Sequence, residues 1–147
     1  MSEAEAGLAG LALRFPRGGT VLNVGADVIE VERVAKVYQR RKERFLERVF
    51  TEEEREYCFG KSDPFPHLAA RFAAKEAVSK AFSTGIGKLF GWKSCGIYHD
   101  PWMQPLVRLD EQGKTLLGAL DATDVRITLS HTKTVAIAVA ILVKEQP

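Results

Sequence analysis

With 147 residues, 46% hydrophobic and 27% charged, the chain has the size and make-up of one ordinary soluble domain and needs no metal or disulfide to build a core. Its two cysteines, Cys58 and Cys95, exclude both a disulfide framework and a cysteine metal site, and fit small buried hydrophobes in a reducing, cytoplasmic setting. A net charge of +2 decides nothing by itself, but between positions 33 and 48 seven basic residues face two acidic ones.

Residues 1–19 lack periodicity and end in Pro16-Arg17-Gly18-Gly19, which reads as a flexible or loosely docked extension ahead of a single domain over 20–147. The acidic opening is unlike a secretory signal, the apolar run 8–13 is short and broken by glycine, and no membrane partner is expected. Residues 21–28 are rich in β-branched side chains and predict a first strand, with Gly25 permitting a close backbone approach just before Asp27. A helix is predicted over 31–41 and a shorter helical turn over 43–49. Thr51-Glu52-Glu53-Glu54 has the form of a capping box and starts a third helical piece that runs to about Phe59. Beyond the proline-rich loop 61–66 lies the helix that carries Glu76, ending near Thr84-Gly85. The pattern then turns to strands. Segments 93–99 and 105–109 form a hairpin around Pro101-Trp102-Met103-Gln104, a short helix spans 114–120, and 125–130 pairs with 135–143 through His131-Thr132-Lys133-Thr134. Grouped as elements the order is β-α-α-α-β-β-α-β-β, which argues an α+β fold.

The helix around Glu76 places charge where carbon is expected. Leu68, Phe72, Glu76 and Lys80 follow at i, i+4, i+8 and i+12 and so share one stripe, two members apolar and two charged. A carboxylate among core-facing neighbours needs a cation or a metal as compensation. Glu76 and Lys80 equally satisfy the spacing of an ordinary exposed helix pair. Asp27, at the end of the first strand, is a second carboxylate of interest; with Glu30 three residues on, it also resembles a helix N-cap. One or two carboxylates with water and phosphate oxygens are what magnesium takes, and such a metal neutralises charge on a leaving diphosphate. Ser130-His131-Thr132 at a hairpin tip is a plain polar turn or a phosphate grip. The segment 83–88 resembles a phosphate loop only loosely, and Gly85 as a helix cap accounts for most of it. The basic stretch suits a solvated face, a nucleic acid or an acidic protein, although only Tyr38 and Phe45 are interleaved with it, so nucleic acid is not favoured.

Val24-Gly25-Ala26-Asp27-Val28-Ile29-Glu30-Val31-Glu32-Arg33, Phe50-Thr51 through Glu54, the stretch 71–81 with its Ala-Ala-Lys-Glu-Ala core, and Leu129-Ser130-His131-Thr132-Lys133 together resemble holo-acyl-carrier-protein synthase, the small phosphopantetheinyl transferases, over roughly residues 21–143. The resemblance implies a phosphopantetheinyl transferase domain over 20–147. It implies transfer of the 4′-phosphopantetheine arm from coenzyme A to a serine of an apo acyl carrier protein, with release of adenosine 3′,5′-bisphosphate, in support of fatty acid or polyketide synthesis. Carried across, Asp27 and Glu76 become magnesium ligands, with Glu76 or a metal-bound water helping to remove the serine proton. Lys80 faces the pyrophosphate, while His131, Ser130 and Gly85 attend the nucleotide. Arg33, with Arg40 and Arg44, docks the acidic carrier. The family is trimeric, with each site at a subunit boundary, so a homotrimer is expected. A binding module without catalysis is the competing reading. The long extension before Thr20 and the Pro101-Trp102-Met103-Gln104 turn depart from the family pattern.

Overall fold

The structure is a computed structural model and describes residues 2–7 and 18–147. Of the expected flexible extension, residues 1 and 8–17 lie outside the described residues, while Glu3–Gly7 forms a five-residue helix, α1, whose Ser2 hydroxyl accepts from the Glu5 amide at 3.1 Å. Strand β1 covers Thr20–Glu30, followed by α2 (Val31–Arg41), α3 (Glu43–Val49), α4 (Glu52–Phe59) and α5 (Phe65–Ala81). A 3-10 turn at Trp92–Ser94 leads into β2 (Cys95–His99), then β3 (Pro105–Leu109), α6 (Glu111–Ala119), β4 (Asp124–His131) and β5 (Val135–Lys144). Helices and antiparallel strands are segregated as the α+β reading expects.

Strands β1, β5 and β4 form one antiparallel sheet with β5 in the middle, and β2 pairs with β3 in a separate hairpin. Helix α5 lies across the three-stranded sheet. Alanine makes this close approach possible: Ala69, Ala73, Ala74 and Ala77 on the helix and Ala136, Ala138 and Ala140 on β5 are all at most 1% exposed. Gly25 completes the contact, because a Cβ there would stand 2.1 Å from the Ala77 carbonyl oxygen. Asn23 ties the same strand to the helix end, donating through Nδ2 to the Ala81 carbonyl at 3.0 Å.

Helix α5 also buries charge. Lys75 and Glu54 are both fully buried and pair at 2.8 Å. Lys75 donates further to the carbonyls of Trp92 at 2.9 Å and Cys95 at 2.5 Å, which uses all three of its ammonium hydrogens. Glu54 closes the Thr51 capping box through Oε1 and accepts from the Ile97 amide through Oε2 at 3.1 Å. Four elements therefore meet at one ion pair. Both thiols are buried as expected, and burial pushes Cys58 up to about 11 and Cys95 up to about 12.

The structure departs from the sequence reading in four places. The four helical pieces read from the sequence between β1 and β2 are all present, one more than the grouped element order counted, with Lys42 at φ 50° separating α2 from α3. Helix α6 begins at Glu111, three residues early, since the Asp110 side chain accepts from the Gly113 amide and caps it. Helix α5 stops at Ala81, and Gly85 instead sits at φ 64° in a loop that folds back to the Ser79 carbonyl. The stripe through Leu68 and Lys80 is the helix's emerging edge: Leu68 is buried, Phe72 and Glu76 are half-buried and Lys80 is exposed.

Candidate active site

Strand β1 and helix α5 bring Asp27, Glu76 and Lys80 together. Asp27 lies within β1 opposite Ala138 of β5, so it is not the helix N-cap that its spacing also allowed; Glu30 holds that position. Lys80 reaches over from α5 and donates to the Ala26 carbonyl at 2.9 Å and to Asp27 Oδ1 at 3.1 Å. Its partner is thus across the helix–strand contact, where Gly25 has removed the spacing that a side chain would impose. Burial, reinforced by the negative charge of Asp27, lifts the Glu76 carboxyl above its ordinary value, and Lys80 opposes that rise. Two carboxylates held near each other at a half-open surface, one of them resisting ionisation, suit a hard divalent cation that leaves its other positions to water and phosphate oxygens. Among the described residues no group of three or more His, Cys, Asp or Glu side chains gathers into a site built by protein ligands alone.

On the other flank of α5 lies a cluster that sequence spacing did not reveal. His131 ends β4, exposed, with its ring edge-to-face against His67 of α5 at 4.8 Å. Tyr57 of α4 is stacked on His99 at 4.8 Å, and the Arg71 guanidinium lies 4.2 Å from the centre of the Tyr57 ring. Since β1 and β4 are the two edges of the sheet that α5 crosses, Asp27 and His131 sit on opposite sides of that helix. Ser130 is exposed beside His131, and Gly85 stands in the loop after α5.

The basic helices make a third feature. Arg33, Arg41, Arg44 and Arg48 rim a groove of about 430 Å³ floored by Val34, Phe45, Phe72 and Trp92. Of the three arginines named from sequence, Arg33 and Arg44 line it and Arg40 does not. Arg33, Val37 and Arg41 repeat at i, i+4 and i+8 along one face of α2, which carries Arg41 to the rim and turns Arg40 away, while Arg44 and Arg48 line it from α3 beyond the positive-φ break at Lys42.

Comparison with known proteins defines the class: a model of the 4′-phosphopantetheinyl transferase superfamily matches residues 23–140. The holo-[acyl-carrier-protein] synthase of Chlamydia trachomatis serovar L2 is 50% identical over 121 residues, covering 82% of this chain and 98% of the relative. Among solved structures, the Neisseria meningitidis holo-[acyl-carrier-protein] synthase aligns with a TM-score of 0.78 at 26% identity over 84% of this chain and 98% of the other. The Helicobacter pylori enzyme, in complex with coenzyme A, aligns at 0.72 with 31% identity over 81% and 98%. The chain belongs to the holo-[acyl-carrier-protein] synthase family.

Proposed function

We propose that the chain moves the 4′-phosphopantetheine arm of coenzyme A onto a serine hydroxyl of an acidic apo acyl carrier protein, in the cytoplasm and in support of fatty acid or polyketide synthesis. The convergence of Asp27, Glu76 and Lys80 carries this reading. The serine oxygen forms a new bond to the phosphorus that bears pantetheine, the bond to the bridging oxygen breaks, and adenosine 3′,5′-bisphosphate leaves. Asp27 and Glu76 hold magnesium, which when bound draws off charge from the diphosphate. Glu76, whose carboxyl burial and Asp27 lift above its ordinary value, or a water beside it, takes the serine proton. Lys80 aims its ammonium at the diphosphate and stabilises the leaving oxygen.

His131, Ser130 and Gly85 attend the nucleotide. The four-arginine groove takes the carrier: its cationic rim steers an acidic partner and its apolar floor accepts a side chain, which favours a protein over nucleic acid. The transferase domain is residues 20–147, with 1–19 as an extension. Placement of the carboxylates and of His131 on opposite flanks of α5 supports a homotrimer in which each site draws one flank from each of two chains. The outward sheet face supports it too, with Val24 59%, Val28 64% and Ile137 44% exposed.

The test is coenzyme A-dependent labelling of an apo carrier protein with and without magnesium. Wild-type protein should label only with the metal, and Asp27→Ala and Glu76→Ala, both folded by circular dichroism, should lose at least about a hundredfold in rate. Full activity in either variant removes the assignment.

A further inference from the structure

In the structure the cation against Asp27 is the chain's own. Strand β1 is an edge of its sheet, and its Ala26 carbonyl and Asp27 carboxylate receive the Lys80 ammonium at 2.9 and 3.1 Å. The charge of Lys80 reaches the Glu76 carboxyl too, where it opposes the rise caused by burial and Asp27. One backbone carbonyl and two carboxylates make a hard oxygen environment of the kind a divalent cation takes, and two of the three ammonium hydrogens are already spent in it. The lysine stem is rooted close to the strand: a Cβ on Gly25 would stand 3.0 Å from the Lys80 Cβ. Its head is freer, since the Lys80 side chain is 50% exposed against 20% for Asp27.

Two demands therefore fall on one ammonium. It pairs with Asp27 in the structure, and in the transferase reading it serves the diphosphate. A divalent ion drawn to Asp27 and Glu76 contests the same carboxylate oxygen and repels a positive head beside it, while an exposed ion pair is too weak to hold that head in place. The flexible four-carbon stem lets the ammonium turn out of the site with its root unmoved. We propose that Lys80 is a built-in stand-in for the divalent cation: its ammonium neutralises Asp27 until the metal enters, is displaced by it, and by that displacement becomes free to meet the diphosphate. The inference rests on the magnesium and coenzyme A reading above. It adds an order to the site, since Lys80 is released toward the substrate when the metal is in place, and metal and coenzyme A thereby strengthen each other's binding.

Two measurements without the carrier test it. Manganese(II) binding to chelator-treated protein, followed by the electron paramagnetic resonance of the free ion and without coenzyme A, compares wild type with Lys80→Met. The variant should bind at least about threefold tighter, the scale of one exposed ion pair. The ammonium resonance of Lys80 in wild-type protein, assigned by its loss in the variant, then reads where the head lies. With chelator, its bonds to Ala26 and Asp27 should slow its exchange with water; magnesium alone should bring it to the position and exchange rate of an exposed lysine such as Lys133; coenzyme A added with magnesium should move it again. An ammonium that merely repels the metal from its place at Asp27 gives the first result without the second. A Lys80 resonance unmoved by magnesium, or manganese binding no tighter in Lys80→Met, overturns the inference. Carrier labelling by wild-type protein that still demands magnesium would then keep the transferase reading, whereas labelling indifferent to magnesium overturns both.

Discussion

Glu76 is half-buried beside Asp27, and its carboxyl resists ionisation for reasons that have nothing to do with turnover: lost hydration first, the neighbouring carboxylate second. Such a residue burdens the fold. Because the folded protein holds the proton to higher pH than the unfolded chain does, its contribution to stability is complete below the ordinary glutamate value, about 4.3, and fades as pH rises through the raised folded value. Glutamine keeps the size and mimics the protonated carboxyl at every pH. Without metal, Glu76→Gln should therefore match wild type in melting temperature near pH 4 and exceed it at pH 7. Thermal scans across that range decide the matter, and a variant that melts lower at pH 7 would show that Glu76 is not under electrostatic load. The same load explains Lys80, whose ammonium offsets both carboxylates from across the helix–strand contact. Residues of this kind trade stability for a site ready to receive a cation.

At the scale of elements, α5 is held by the buried Glu54–Lys75 pair, which joins the start of α4, the middle of α5, the Trp92 turn and β2. Lys75→Met would leave Glu54 buried with its charge unpaired and should cost about 3–5 kcal/mol in urea unfolding. Adding Glu54→Gln removes that charge and should recover part of the loss, so the two changes combine to less than their sum; simple additivity would mean the pair is not coupled. The pair was only half legible in sequence. The capping box announced Glu54, but Lys75 lies in a run of alanines where no periodicity marks it, because α5 is buried on nearly every side between sheet, α2 and α4. Asp27, Glu76, Gly25 and Lys80 were legible because each sits in a local pattern: a strand end, a helix stripe, a glycine within a β-branched run. The Tyr57 cluster was not, since His67, His99 and His131 come from α5, β2 and β4 and only tertiary packing unites them. Arg41 was legible and missed: it follows Arg33 and Val37 at helical spacing on one face of α2, where Arg40 does not fall.

For the whole molecule, the governing fact is that α5 divides the chain's chemistry. Asp27, Glu76 and Lys80 occupy its β1 flank, while His131, His67 and Arg71 occupy its β4 flank, with the width of a helix between them. A helix with side chains is about 10 Å across, so one nucleotide lying over one flank does not touch the other within a single chain. The proposed trimer resolves this when the β1 flank of one chain meets the β4 flank of the next, with the exposed Val24, Val28 and Ile137 covered in the process. Closed symmetry makes all three such boundaries equivalent. Asp27→Ala and His131→Ala should each be inactive as pure proteins, yet damage opposite flanks. Unfolded together and refolded as a mixture, they should regain activity, because roughly one boundary in four pairs an intact β1 flank with an intact β4 flank under random assembly. Labelling of the carrier by the mixture, with trimer mass confirmed by light scattering, reads this directly. A mixture no more active than its separate parts, or a wild-type protein that scatters as a monomer while fully active, would place the whole site in one chain and dissolve the boundary reading.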